Sequence, residues 1–162
     1  MNLEFSNAKL EDLPKIMEIE RAGFNASEAS TEASMSERIS LLSDTFIVAK
    51  LQKEIVGFVV GPAYNKRYID DELYEKSLPN DDNDAYQTIL SIAVDPKHHG
   101  KNIGSQLLNK MVEIAKNNNR KLVTLTCLSR LIPFYEKNGF VNEGKSSSEH
   151  ANETWFNMVR NV

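Results

Sequence analysis

The sequence predicts an α/β (α+β) fold, with one mixed sheet carrying helices on both faces. An almost unbroken apolar run, Ile89 to Val94, reads as a strand buried on both sides, and the helically spaced residues Ile103, Leu107, Met111 and Ile114 follow it as a βα unit. Two β-rich runs, Thr45 to Lys50 and Ile55 to Gly61, flank Gln52-Lys53-Glu54 in the pattern of a hairpin, although its turn lacks glycine. The elements run βααββ and then βαβαββ, with no repeat, low-complexity tract or linker. Residues 1–162 are therefore expected to form a single domain.

Each element has its own signal. Leu3 to Asn7 reads as the first strand, and Leu10 to Phe24 as a helix with Leu13, Ile16, Met17 and Ile19 on one face. A second helix is expected over Thr31 to Leu42. Its apolar side is Met35, Ile39 and Leu42, and Thr31, Glu32 and Ser34 supply capping groups. The hairpin follows. Residues 62–84 hold Pro62, Pro79 and many acids, so they read as irregular, with at most one helical turn from Asp71 to Lys76. After the βα unit, which ends at Asn117, Lys121 to Cys127 gives another strand. Leu131 to Asn138 gives a short helix that Gly139 ends, and Phe140 to Glu143 pairs with Thr154 to Val159 to close the sheet.

The composition, 41% hydrophobic and 26% charged, is that of a domain with a proper core. A net charge of -4 gives no general pull toward nucleic acid or an anionic membrane, so neither is expected as a partner. No apolar run approaches the roughly 18 residues that span a bilayer. The polar start Met1-Asn2-Leu3-Glu4 does not read as a secretory signal, and the cytoplasm is the expected location. The one cysteine, Cys127, lies in an apolar strand pattern and reads as a packed thiol. His98-His99 offers adjacent nitrogens with no Cys or carboxylate at ligand spacing, so no metal is expected.

The segment from Val94 to Leu108 carries the chemistry. It joins a strand to a helix through a basic turn, in which Gly100 and Gly104 admit positive φ or close approach and Lys97, Lys101, His98 and His99 add charge. Unpaired N–H groups at the helix start, with the helix dipole behind them, suit a phosphate. The nucleotide-hydrolysing loop is excluded, because Asp95 stands where its first glycine belongs and Asn102 follows Lys101. The dinucleotide fingerprint is incomplete.

Taken together with Leu131-Ile132-Pro133-Phe134-Tyr135-Glu136-Lys137-Asn138-Gly139-Phe140, this turn resembles the GNAT superfamily of N-acetyltransferases. The family signature of Gln or Arg, then Gly, then Gly or Ala falls on His99, Asn102 and Gly104. Asn is the non-glycine residue that best tolerates positive φ. Glu18-Ile19-Glu20-Arg21-Ala22-Gly23-Phe24 and Trp155-Phe156-Asn157-Met158 extend the similarity to the arylalkylamine (serotonin) N-acetyltransferase branch. The resemblance implies a mostly antiparallel sheet of six to seven strands, flanked by about four helices and splayed between the fourth and fifth strands. It implies acetyl-CoA as cosubstrate, held by Ile92, Ala93, Val94, His99, Gly100, Lys101, Asn102, Ile103, Gly104 and Ser105.

The resemblance also implies transfer of acetyl to a primary amine by direct attack in a ternary complex, with Tyr135 as general acid. Phenol and thiol have ordinary pKa values of about 10 and ~8.5. Small-amine acceptor contacts are expected at Phe24, Met35, Thr88 and Trp155. The branch's two strand histidines are replaced by Thr88 and Leu90, which leaves Glu20, Thr88, Asp84 and His150 as candidate bases beside a water chain. The acids Asp70, Asp71, Glu72, Asp81, Asp82 and Asp84 read as a solvated loop that could also steer a cationic amine. A coenzyme-A-binding sensor without turnover, a protein or peptide N-terminal acetyltransferase and a homodimer all stay open.

Overall fold

A computed structural model describes residues 2–162, and its strands form two sheets that share a seam. The first holds β1 (Leu3–Asn7), β2 (Phe46–Leu51), β3 (Glu54–Val60) and β6 (Ser91–Val94) in the order β1-β2-β3-β6, antiparallel throughout. The second holds β4 (Ala63–Tyr64), β5 (Tyr86–Ile89), β7 (Leu122–Leu128), β8 (Val141–Lys145) and β9 (Trp155–Asn161) in the order β4-β5-β7-β9-β8. Only the β5–β7 pair is parallel. The helices are α1 (Leu13–Gly23), α2 (Glu32–Leu41), α3 (Glu72–Glu75), α4 (Ile103–Asn117) and α5 (Ile132–Lys137).

The expected mixed α/β architecture is therefore present. Its nine strands exceed the expected six to seven because Ala63–Tyr64, at the start of the segment read as irregular, forms β4, and because the apolar run Ile89 to Val94 is not one strand. Val60 pairs with Ser91 and Ala63 with Gln87, so Gly61 and Pro62 face Thr88, Ile89 and Leu90. Two residues against three make a β-bulge, which bends the chain and passes it from one sheet to the other. Beyond Ile89, paired with Leu125, β7 continues beside β9 while β6 follows β3. This is the predicted splay, and it opens a gap between β6 and the end of β7.

Helices on opposite faces seal two apolar clusters. On one side Ile103, Leu107, Leu108, Met111, Val112 and Ala115 of α4 pack on Val56, Val59, Val123 and Leu125. Each fully buried side chain of this size contributes roughly 1.5–3 kcal/mol. The buried stripe is turned slightly from the predicted one, with Ile114 only partly buried. On the other side Ile16, Met17 and Ile19 of α1 and Met35 and Ile39 of α2 cover Phe46, Val48, Phe58 and Val60. Thr31 caps α2 as expected, its Oγ1 accepting from the Ser34 N–H at 3.1 Å. The glycine-free hairpin turn is made by Gln52 and Lys53, both at positive φ (51° and 69°), which matches the two-residue turn that follows strand twist.

Candidate active site

The basic turn takes the shape its residues dictate. Gly100 (φ 82°) and Asn102 (φ 61°) are both left-handed, and α4 starts immediately afterwards. The Asn102 side chain makes no capping bond, and the first intrahelical bond runs from the Gln106 N–H to the Asn102 carbonyl (3.1 Å). The N–H groups of Ile103, Gly104 and Ser105 are thus free for an external acceptor. A Cβ on Gly104 would sit 3.2 Å from the Phe134 ring, so glycine there lets α4 close onto α5.

Next to this turn lies the free edge of β6. The Asp95 N–H donates to the Val56 carbonyl (2.8 Å), so alternation along the ladder turns residues 91 and 93 toward β3. The main-chain groups of Ile92 and Val94 therefore face the gap. The His99 Nε2 lies 3.0 Å from the Val94 carbonyl. Turn and edge form one cavity of about 460 Å³, continued by Phe24, Arg130, Leu131, Phe134 and Lys137. Its cationic lining is Arg130 and Lys137, with the imidazoles of His98 and His99 beside them, and no carboxylate contributes to it among the described residues. Of the ten residues expected here, all but Lys101 line this cavity. The Lys101 ammonium turns instead to the Nδ1 of His98, 3.2 Å away.

A second cavity, about 470 Å³, lies across the splay. One wall is Glu20 of α1 with Ser91 of β6. Glu20 is 1% exposed, and its carboxylate accepts from the Ser91 hydroxyl (2.6 Å) and from the Ser30 N–H (2.7 Å). Another wall is aromatic. Tyr74 stacks on His150 with ring centroids 5.4 Å apart, His150 lies 5.7 Å from Trp155, and the Trp155 indole N–H donates to the His150 carbonyl (2.8 Å). Arg38, 1% exposed, reaches from α2 to the Ser30 hydroxyl (2.9 Å) and the Tyr74 carbonyl (3.2 Å), pinning both walls. Five carboxylates line this cavity, on Glu20, Glu28, Asp71, Glu75 and Glu149, and no Lys or Arg does among the described residues.

Tyr135 lines both cavities. Its ring packs edge-on against Phe134 and Phe140, with centroids 5.1 and 5.7 Å away, and only 6% of the residue is exposed. Burial pushes the phenol far above its ordinary range, so the hydroxyl stays protonated. Cys127 is beside it and buried, and its thiol is pushed up to about 12, which agrees with a packed thiol.

Phe24 and Trp155 reach the second cavity, but Met35 and Thr88 do not. Met35 is fully buried beneath α1 because its side chain fills the α1–α2 interface. Thr88 sits in the bulge, fully buried, with its hydroxyl donating to the Pro62 carbonyl (2.7 Å). Among the base candidates Glu20 and His150 line the cavity, whereas Thr88 and Asp84 lie elsewhere. Only Asp71 of the six loop acids borders it; Asp70 instead accepts from Tyr64 and Lys66. Glu28, Tyr74, Ser91, Arg130 and Lys137 were given no role by the sequence. Arg130 and Lys137 flank the tyrosine segment, and that placement was the one available signal.

No curated protein matches the sequence. Among solved structures, the loading GNATL domain of CurA from Lyngbya majuscula superimposes with a TM-score of 0.85 at 13% identity, over 99% of this chain and 98% of that one. The PaiA N-acetyltransferase from Thermoplasma acidophilum, in complex with coenzyme A, aligns over 100% of both chains with a TM-score of 0.72 and 19% identity. Arabidopsis thaliana Naa50, in complex with the bisubstrate analogue CoA-Ac-MVNAL, also aligns over 100% of both chains, with a TM-score of 0.76 and 14% identity. The family model of the acetyltransferase (GNAT) domain matches residues 43–142, which include the hairpin, the bulge, the basic turn and Tyr135, and by that match the chain belongs to the GNAT family as an acetyl-CoA-dependent acetyltransferase.

Proposed function

We propose that the chain, as one catalytic domain acting in the cytoplasm, transfers acetyl from acetyl-CoA to a small primary amine. The observation that carries this reading is that Tyr135 lines both a cavity bearing Arg130 and Lys137 with no carboxylate and a cavity bearing five carboxylates with no Lys or Arg, among the described residues. The first suits an anionic coenzyme: its uncapped helix start, Gly100 and Asn102 would hold the diphosphate, and Ile92 and Val94 would pair with the extended arm as a strand edge does. The second suits an ammonium.

Each chemical demand of the transfer has a residue. An amine must lose a proton before it attacks, and the Ser91 hydroxyl can take that proton while passing its own to Glu20, 2.6 Å away. The Val94 N–H, facing the gap, can polarise the carbonyl under attack. As nitrogen bonds to carbon and the carbon–sulfur bond breaks, the protonated Tyr135 phenol can donate to the departing sulfur. The attacking nitrogen's second proton balances that donation. A buried phenol is a weak acid, but the same walls desolvate the thiolate and raise its demand for a proton.

The similarity to the arylalkylamine branch agrees with the aromatic wall of Tyr74, His150 and Trp155, although Thr88 and Leu90 replace the branch's histidines. Free-thiol release from acetyl-CoA, followed with arylalkylamines, aliphatic amines and short peptides, tests the reading. Release with small amines, and a fall in kcat in Glu20→Gln, is the expected result. Release with peptides alone would favour an N-terminal acetyltransferase, and coenzyme binding without release would favour a sensor.

A further inference from the structure

We propose that Arg38 is a positioning residue for the transfer: without touching either substrate, it sets the Glu20 carboxylate against the Ser91 hydroxyl through Ser30. This rests on the amine-acetylation reading above and adds a residue to the same machinery.

Arg38 is costly where it stands. Its side chain is 1% exposed, yet no carboxylate lies within ion-pair distance of it among the described residues, and its Nε is buried with no partner. A charge taken out of water without a contact ion destabilises a fold, and an apolar side chain of similar length would fill the space at less cost. Packing does not call for arginine here, because Met35 and Ile39 already supply the apolar contacts of α2. What the guanidinium makes instead is a bridge between two elements. Its Nη1 donates to the Ser30 hydroxyl at 2.9 Å, with the Met35 sulfur 3.8 Å away, and its Nη2 donates to the Tyr74 carbonyl at 3.2 Å. A planar fork fixes those two acceptors relative to each other, as a lysine ammonium does not.

Ser30 passes the constraint on. It lies in the loop that joins α1 to α2, and its Oγ accepts from Arg38 while its N–H donates to the Glu20 Oε2 at 2.7 Å. The other Glu20 oxygen accepts from Ser91 at 2.6 Å, so one side of the carboxylate is fixed by the loop and the other is aimed along the proton path. Glu20 is also the carboxylate that acts most strongly on the Arg38 guanidinium, so the counter-charge missing at contact distance is supplied across Ser30. The second prong reaches α3, whose Tyr74 phenol is joined to the Thr126 hydroxyl of β7 at 2.8 Å. Arg38 itself lines neither cavity. Its effect on the rate must therefore travel through the groups it holds.

The test is a double-mutant cycle on kcat, read as thiol released from acetyl-CoA with a saturating small amine, in wild type, Arg38→Met, Glu20→Gln and the double variant. Arg38→Met keeps the length and drops the donors. It is expected to lower kcat by about tenfold or more, the scale of a displaced catalytic group, with KM for acetyl-CoA unchanged. In the Glu20→Gln background the same substitution should change kcat by less than about twofold, because groups that act as one unit lose their effect only once. Ser30→Ala removes the link within a loop and should give the same pattern, which decides the matter if melting curves show that Arg38→Met unfolds. Equal losses in both backgrounds, or wild-type kcat in Arg38→Met and Ser30→Ala, would overturn the positioning role and leave amine acetylation standing. No thiol release with any amine in wild type would overturn both.

Discussion

Tyr135→Phe is expected to lower kcat by about 10²-fold with little change in coenzyme affinity or thermal stability. The substitution leaves the ring in its edge-on contacts with Phe134 and Phe140, so packing survives. It removes a hydroxyl that no protein group holds by a hydrogen bond among the described residues, so no buried partner is orphaned. What it takes away is, among the described residues, the one side-chain donor that lines both cavities. Stopped-flow thiol detection with saturating amine checks this. Equal rates in the two proteins would assign the ring to packing alone.

Gly61→Ala should cost about 3 kcal/mol, lowering Tm by about 6–12 °C for a chain of this length. The reason lies in the bulge. A Cβ at Gly61 would stand 2.2 Å from the Thr88 carbonyl oxygen, 2.6 Å from its carbon and 2.9 Å from the Ile89 Cα, and all three are backbone atoms that no rotamer can move. The Gly61 carbonyl also accepts from the buried Gln87 side chain (2.9 Å), which fixes the seam further. Relief would require β3 to draw back from the chain where it changes sheets. Gly57 is less tight: a Cβ there would stand 3.0 Å from the Ala93 carbonyl oxygen and 3.1 Å from the flexible end of Leu107. Differential scanning calorimetry of the variant decides the matter, and an unchanged Tm would remove the bulge as a point of tight contact.

The strands and helices with strong periodicity were legible. The α4 helix begins and ends where its apolar spacing places it, and the left-handed Asn102 follows from the non-glycine residue that best tolerates that conformation. The basic turn was legible too, because a phosphate cradle is local: its amides, glycines and charges lie within a few residues. The break at Leu90 was hidden, since an apolar run looks the same whether it stays in one sheet or crosses between two. The acceptor cavity was harder still. Glu20, Glu28, Tyr74, Ser91, His150 and Trp155 come together only because α1, the irregular 62–84 segment and the approach to β9 converge over the splay. Thr88 failed as a substrate contact for the same reason: strand alternation and the bulge turn its hydroxyl to Pro62. No spacing rule carries such convergence. Asp70, Asp71, Glu72, Asp81, Asp82 and Asp84 looked like one group, whereas folding leaves only Asp71 of these six at the cavity, beside Glu75.

The central claim is that the turn from His99 to Ser105 grips a coenzyme diphosphate and leaves the reactive sulfur beside Tyr135. A crystal structure of the protein with bound coenzyme A tests it most directly. Diphosphate oxygens are expected on the N–H groups of residues 100–105, the extended arm paired with Ile92 and Val94, and sulfur within hydrogen-bonding reach of the Tyr135 hydroxyl. Coenzyme lodged away from that turn, or with its sulfur remote from Tyr135, would contradict it.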